Sequence, residues 1–159
     1  MNPPNILPGI RYSGFASNFG GPNDKGVKDG EGVALFNEYE VINHPEFFLP
    51  PFITSSGTPA GLARRLVVEA AYCACRWDYK VTPKVTLRWT MVRVERVDRP
   101  EAVAYVYPID WGPNIDTGRI IDLSPSVFNL LELKEDETEV YIILQDRATS
   151  RWSELEPSL

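Results

Sequence analysis

One histidine, two cysteines and only 16 Lys+Arg against 22 Asp+Glu are the scarcities of this 159-residue sequence. Each of them excludes something. A sole histidine, His44, leaves little room for a histidine-rich zinc site or an imidazole-centred triad. Cys73 and Cys75 are too few for a disulfide scaffold. Spaced as Cys-x-Cys, they share one face if the segment is a strand, where a disulfide is strained, and no second pair completes a zinc site. Buried free thiols are therefore expected. The formal net charge of −6 argues against a nucleic-acid binder, which needs clustered Lys and Arg to neutralise phosphate. Arg64-Arg65 is the one basic doublet. No run of 18 apolar residues exists, so no transmembrane helix is expected. The start, Met1-Asn2-Pro3-Pro4-Asn5, lacks a basic region followed by an apolar stretch. It is read as no secretory signal, and the chain as cytoplasmic when made, with incorporation into a virion or other particle as its route outward.

What is present is an ordinary globular composition. The 43% hydrophobic and 24% charged residues rule out disorder of the whole chain. The length suits one domain able to bury roughly two-thirds of its unfolded surface. The 14 prolines and 11 glycines are spread along the chain, as short strands and irregular loops require.

Residues 1–10 read as an extended arm, because Pro3, Pro4 and Pro8 forbid a helix. Arg11 to Phe19 alternates as a first strand, and Gly20 to Gly32 is a glycine-rich, charged loop. Val33 to Phe36 suggests a short strand, and Glu40 to Ser56 a long loop holding Phe47, Phe48 and Phe52. Thr58-Pro59 has the form of a helix start. Leu66 to Ala71 leans to strand. Lys84 to Val97 reads as the clearest strand, with Val85, Leu87 and Trp89 on one face and Val92 and Val94 together beyond them. Asp98 to Glu101 is a turn. Ala102 to Tyr107 returns as a hairpin strand whose pairing ends at Pro108, and Arg119 to Leu123 is a further strand. Ser124-Pro125 opens a short helix, with the Ser hydroxyl as cap and Val127, Leu130 and Leu131 as its apolar face. Lys134 to Thr138 is a charged turn and Glu139 to Gln145 the last strand. The barrel domain is expected over 11–146, followed by a polar tail, 147–159. The class is mainly β, with one or two short helices and long loops, and a small barrel removes open sheet edges.

The stretch Val106 to Leu133 carries a more specific signal. It contains Asp110, Gly112-Pro113, and the run Gly118-Arg119-Ile120-Ile121-Asp122-Leu123-Ser124. This resembles the core of the rare lipoprotein A and expansin group of double-psi β-barrels. Ser13-Gly14-Phe15-Ala16-Ser17-Asn18-Phe19-Gly20 is similar to that group's first strand, in the right order and separation. The resemblance spans most of Gly14 to Gln145. It implies a six-stranded double-psi β-barrel with a shallow groove for cell-wall polysaccharide, with no metal and no cofactor. Asp122 and Asp110 would be its catalytic residues, Asp122 as acid/base with Asp110 supporting it, and the Ser17 hydroxyl would face the same groove. Trp111, beside Asp110, offers a flat face to a sugar ring, and Arg119 is a further expected substrate contact. Glycosidic cleavage needs an acid for the leaving oxygen, and two neighbouring carboxylates hold one proton more tightly.

Departures from the group are equally specific. Its peptidoglycan-cleaving members carry a Glu just after Thr-x-x-Gly and a His ending an Ala-Ala strand. The counterparts here are Thr58-Pro59-Ala60-Gly61-Leu62 and Ala70-Ala71-Tyr72, so Leu62 and Tyr72 stand in those places. Asn18 stands where Trp is usual, and the lipid-attachment cysteine is missing. Each feature also has a structural reading. Asp122 could accept hydrogen bonds from the following turn, Asp110 could order the Gly112-Pro113 loop, and His44 could be a surface loop residue. Arg64, Arg65 and Arg76 could meet an anionic glycan or simply solvent. The phenylalanine cluster could be a satellite core or, if exposed, a partner interface. Three functions follow as expectations: a glycan-cleaving barrel, a glycan-binding module using the same groove, or a non-catalytic assembly barrel in a particle such as a phage virion or tail. In the last case the termini and the 44–52 loop would meet protein partners or a second copy. Neither nucleic acid nor membrane is expected as a partner.

Overall fold

A computed structural model describes residues 5–26, 31–37, 39–50 and 61–145. Six strands close into a barrel: β1 (Arg11–Asn18), β2 (Tyr72–Cys75), β3 (Val92–Arg96), β4 (Val103–Trp111), β5 (Arg119–Leu123) and β6 (Glu139–Leu144). Two short helices accompany them, α1 (Lys84–Leu87) and α2 (Pro125–Leu130). The order around the barrel is β1-β5-β2-β4-β3-β6. β1 runs parallel to β5 and β2 parallel to β4, and the other four pairings are antiparallel. Exchanging β1 with β4, β2 with β5 and β3 with β6 leaves order and direction unchanged. That internal two-fold, with interlocked parallel pairs, is the double-psi arrangement.

Alternation builds the core. Val92 and Val94 of β3, Val106 of β4, and Val140, Ile142 and Leu144 of β6 are fully buried, while Arg93, Glu95 and Tyr141 point outward. β5 contributes Ile121 and Leu123 to the same interior. Gly14 is required where β1 crosses β5, because a Cβ there would lie 2.9 Å from Ile120 Cβ. The described part of the N-terminal arm packs on the barrel: Ile6 is buried and bridges Trp77, and Pro8 bridges Leu144.

Several expectations need correction. Lys84 to Val97 is not one strand. Lys84–Leu87 forms a helical turn, opened by Thr86 and Leu87 amides donating to the Pro83 carbonyl at 3.0 Å. Val85 and Trp89 are exposed while Leu87 is buried, so the apparent shared face does not exist. The strand expected over Leu66 to Ala71 begins instead at Tyr72; Leu66 makes only a bridge to Phe48. Val33 and Phe36 bridge each other across a turn and form no strand. β4 continues through Pro108, which sits where the β2–β4 register slips, a place that needs no proline N–H. In α2 the Ser124 hydroxyl accepts from the Tyr72 amide at 3.3 Å and makes no cap bond. Leu130 is exposed, and Phe128 takes its place in the buried face. Phe47 and Phe48 are buried, Phe48 against Phe36 and Phe47 against Tyr107, and they are continuous with the barrel core rather than a separate satellite cluster. Cys73 and Cys75 are free, buried thiols. The Thr58-Pro59 helix start, Phe52, residues 1–4 and the 146–159 tail lie outside the described residues.

Candidate functional site

Strand register brings the acidic residues together. Ser17 of β1 pairs with Asp122 of β5, Asp122 with Ala74 of β2, and Ala74 with Asp110 of β4. These four residues form one row across four strands. Adjacent strands lie about 4.8 Å apart, so the two aspartates stand on backbones about 10 Å apart with small Ala74 between them. A groove of about 630 Å³ opens over this row. Ser17, Asp110, Trp111, Arg119 and Asp122, the five sequence-identified candidates, all line it. Asp24 and Glu31 complete an acidic wall.

The chemistry differs sharply between the two aspartates. Asp110 Oδ1 accepts from the Ala34 and Trp111 amides, both at 2.8 Å. Burial raises its pKa, and these two N–H groups oppose the rise. The carboxyl of Asp122 has no hydrogen-bond partner among the described residues. Burial pushes its pKa up to about 7; the Arg119 charge opposes this, and Asp110 and Asp24 add to it. A carboxyl raised this far retains its proton well above the ordinary carboxylate range, so it is able to donate as well as accept.

The remaining candidates are partly engaged within the chain. Arg119 donates Nε and Nη2 to the two carboxylate oxygens of Asp136, each at 3.0 Å, and lies 3.2 Å from Glu135. The Ser17 hydroxyl donates to Glu135. Trp111 is 44% exposed, and its indole N–H donates to the Trp77 carbonyl at 3.1 Å. That bond lies in the ring plane and leaves the faces of the indole unused by it.

Arg76 is not a solvent-facing glycan contact. It is buried, and Nη1 donates to the carbonyls of Pro113 at 2.8 Å and Arg119 at 3.0 Å. It braces the Gly112–Asn114 loop, which carries a cis Gly112–Pro113 bond, against the start of β5. Arg65 donates to the Leu49 and Pro50 carbonyls and Arg64 to the Pro22 carbonyl. His44 pairs with Glu46 and lies outside this groove. No group of three His, Cys, Asp or Glu side chains among the described residues is arranged to hold a metal ion.

Sequence reasoning missed Asp24 and Glu31. Asp24 closes a turn by accepting from the Gly20 amide at 2.6 Å and the Gly26 amide at 2.8 Å. A turn is legible in Gly-Gly-Pro-Asn-Asp, but nothing in the spacing says that it folds over the β1–β5 end.

Leu62 and Tyr72, at the positions where the resemblance expects Glu and His in cleaving members, are both buried. The Tyr72 hydroxyl donates to the Phe19 carbonyl at 3.1 Å. Tyr72→Phe, which keeps the ring and removes that bond, is expected to cost about 1 kcal/mol in a urea titration. Tyr72→His is expected to cost about 2 kcal/mol and to release no muropeptides from sacculi, because the imidazole would replace a core ring.

The fold and groove define a class: a double-psi β-barrel with an acidic strand-end groove. No protein-family model matches the chain, and no curated protein matches it.

Proposed function

We propose that this barrel binds cell-wall polysaccharide, a peptidoglycan strand, in the acidic groove, with weak remodelling or no cleavage. The observation that carries the reading is geometric: Ser17, Asp122 and Asp110 stand in one row across adjoining strands and line an open groove with the exposed Trp111, and burial raises the Asp122 pKa there. The resemblance of the Gly118 to Ser124 run and of the first strand to the rare lipoprotein A and expansin group supplies the ligand class. A neutral carboxyl donates to a sugar hydroxyl or glycosidic oxygen, and an exposed indole offers a flat apolar surface to a pyranose ring. Cleavage needs a second group to act as base or nucleophile. Asp110 is held by two backbone amides, and Leu62 and Tyr72 supply neither a carboxylate nor an imidazole.

Pull-down on purified sacculi at pH 7 tests the reading. The full chain is expected to be retained, Trp111→Ala to lose about tenfold in affinity, and muropeptide release to stay at background. Absence of retention ends this reading. A second reading, an assembly barrel within a larger particle, is favoured by Leu49, 42% exposed in the 44–52 loop, and by Tyr39 and Ile42, 77% and 65% exposed just before it. Mass measurement decides it: a defined oligomer without sacculus retention is its expected result, and a monomer counts against it.

A further inference from the structure

A second groove, of about 510 Å³, lies between the 44–47 turn, Ala70–Ala71, the 88–91 segment and Tyr107 of β4. It shares no lining residue with the acidic groove. Its walls are aromatic and apolar. Trp89 is 69% exposed and Tyr107 40% exposed, large apolar surfaces left uncovered. Phe47 is buried behind Tyr107, with ring centres 5.5 Å apart, and holds the phenol in place.

The rim is polar, and its side chains are engaged within the chain. His44 Nδ1 lies 2.9 Å from Glu46 Oε1. Arg88 pairs with Glu40 through Nη1, and its Nε donates to the Leu35 carbonyl at 2.6 Å.

We propose that this groove is a second ligand site, taking a neutral pyranose ring of an oligosaccharide. Charge complementarity selects that occupant. An anionic ligand would have to break the Arg88–Glu40 ion pair to find a countercharge, and a cationic one would compete with the contact of His44 Nδ1 to Glu46 Oε1. A wholly apolar ligand would cover Glu46 and Arg88 without offering them a partner, at a desolvation cost. A sugar ring presents C–H groups on its faces, suited to Trp89 and Tyr107, and hydroxyls at its edge, suited to Glu46 and Arg88. Ring-sized ligands fill pockets of this volume, apolar with a few convergent polar groups. The inference extends the glycan reading of the acidic groove, yet uses none of its residues and needs no acid.

The test titrates chitotetraose into the isotope-labelled full chain and follows indole N–H signals of Trp89 and Trp111 by NMR. A saturable shift of the Trp89 signal is expected. Tyr107→Ala is expected to weaken that response about tenfold. Trp89→Ala is expected to weaken binding by a similar factor, read at the Ala70 and Ala71 amides. A Trp111 response without a Trp89 response overturns this inference and leaves the acidic-groove reading standing. A Trp89 response alone does the reverse. No response of Trp89 at any concentration overturns it. So does a Trp89 signal that moves with protein concentration, together with a dimer in sedimentation, since a second copy then covers the groove.

Discussion

Asp122→Asn is expected to make the protein more stable at pH 8 by about 2–3 kcal/mol and to leave it unchanged at pH 4. The folded carboxyl titrates near pH 7, chiefly because it is buried, whereas an unfolded aspartate titrates near about 3.9. Between those values the native state holds a proton that the unfolded state has lost. Stability from this group is thus full below about pH 4 and declines as pH rises through 7. Three units of separation correspond to about 4 kcal/mol, and access of water to the groove lowers the observable share. Asparagine cannot ionise and removes the loss. For a domain of this length, at about 2–4 °C per kcal/mol, the gain at pH 8 appears as a melting temperature about 4–12 °C higher. Thermal melts of wild type and variant at pH 4 and pH 8 check this. Curves that stay parallel would show that Asp122 is an ordinary solvated carboxylate, and the glycan reading would lose its acid. Asp110 remains in the variant, so a smaller decline over the same direction of pH is expected to persist.

Gly20→Ala is expected to cost about 3 kcal/mol. Gly20 has φ +93°, a conformation that L side chains rarely adopt. A Cβ there would meet the Tyr72 hydroxyl at 2.4 Å and Leu66 Cδ1 at 2.8 Å. Strain and overpacking act at one position, and the buried tyrosine cannot move aside without losing its bond to the Phe19 carbonyl. The same residue donates its amide to Asp24, so the acidic wall of the groove moves with it. Urea unfolding measures the loss. A change below about 0.5 kcal/mol, the scale of ordinary surface substitutions, would show that the turn relaxes freely.

Much of the barrel is legible from alternation. β1 and β6 lie close to where their period-two patterns put them, because one face of each strand must be buried and the other solvated, and β5 lies where a short strand is expected although Ile120 and Ile121 are both buried. Legibility fails where two elements share a similar composition. The Lys84–Trp89 stretch alternates like a strand, yet a single helical turn buries Leu87 and turns Val85 and Trp89 outward. β2 is buried along its whole length, so it has no alternation to read, and its start at Tyr72 was missed. Pro108 looks like a strand end, but a register slip accommodates it.

The candidate site divides in the same way. By itself the sequence determined the kinds of residue available: a run ending in Asp122-Leu123-Ser124, a strand ending in Asp110-Trp111, one histidine and few cations. Local pattern also determined which of their neighbours are core, since alternation is a property of adjacent residues. The tertiary structure alone decided that Ser17, Asp122 and Asp110 stand in one row, because the pairing of β1, β5, β2 and β4 joins segments far apart in the chain. It also decided that Arg119 is engaged by Asp136 and that Arg76 is buried beneath the loop it braces. Charge type can be read from a sequence, but burial and pairing set the proton affinity of Asp122, and both depend on contacts made across the closed barrel.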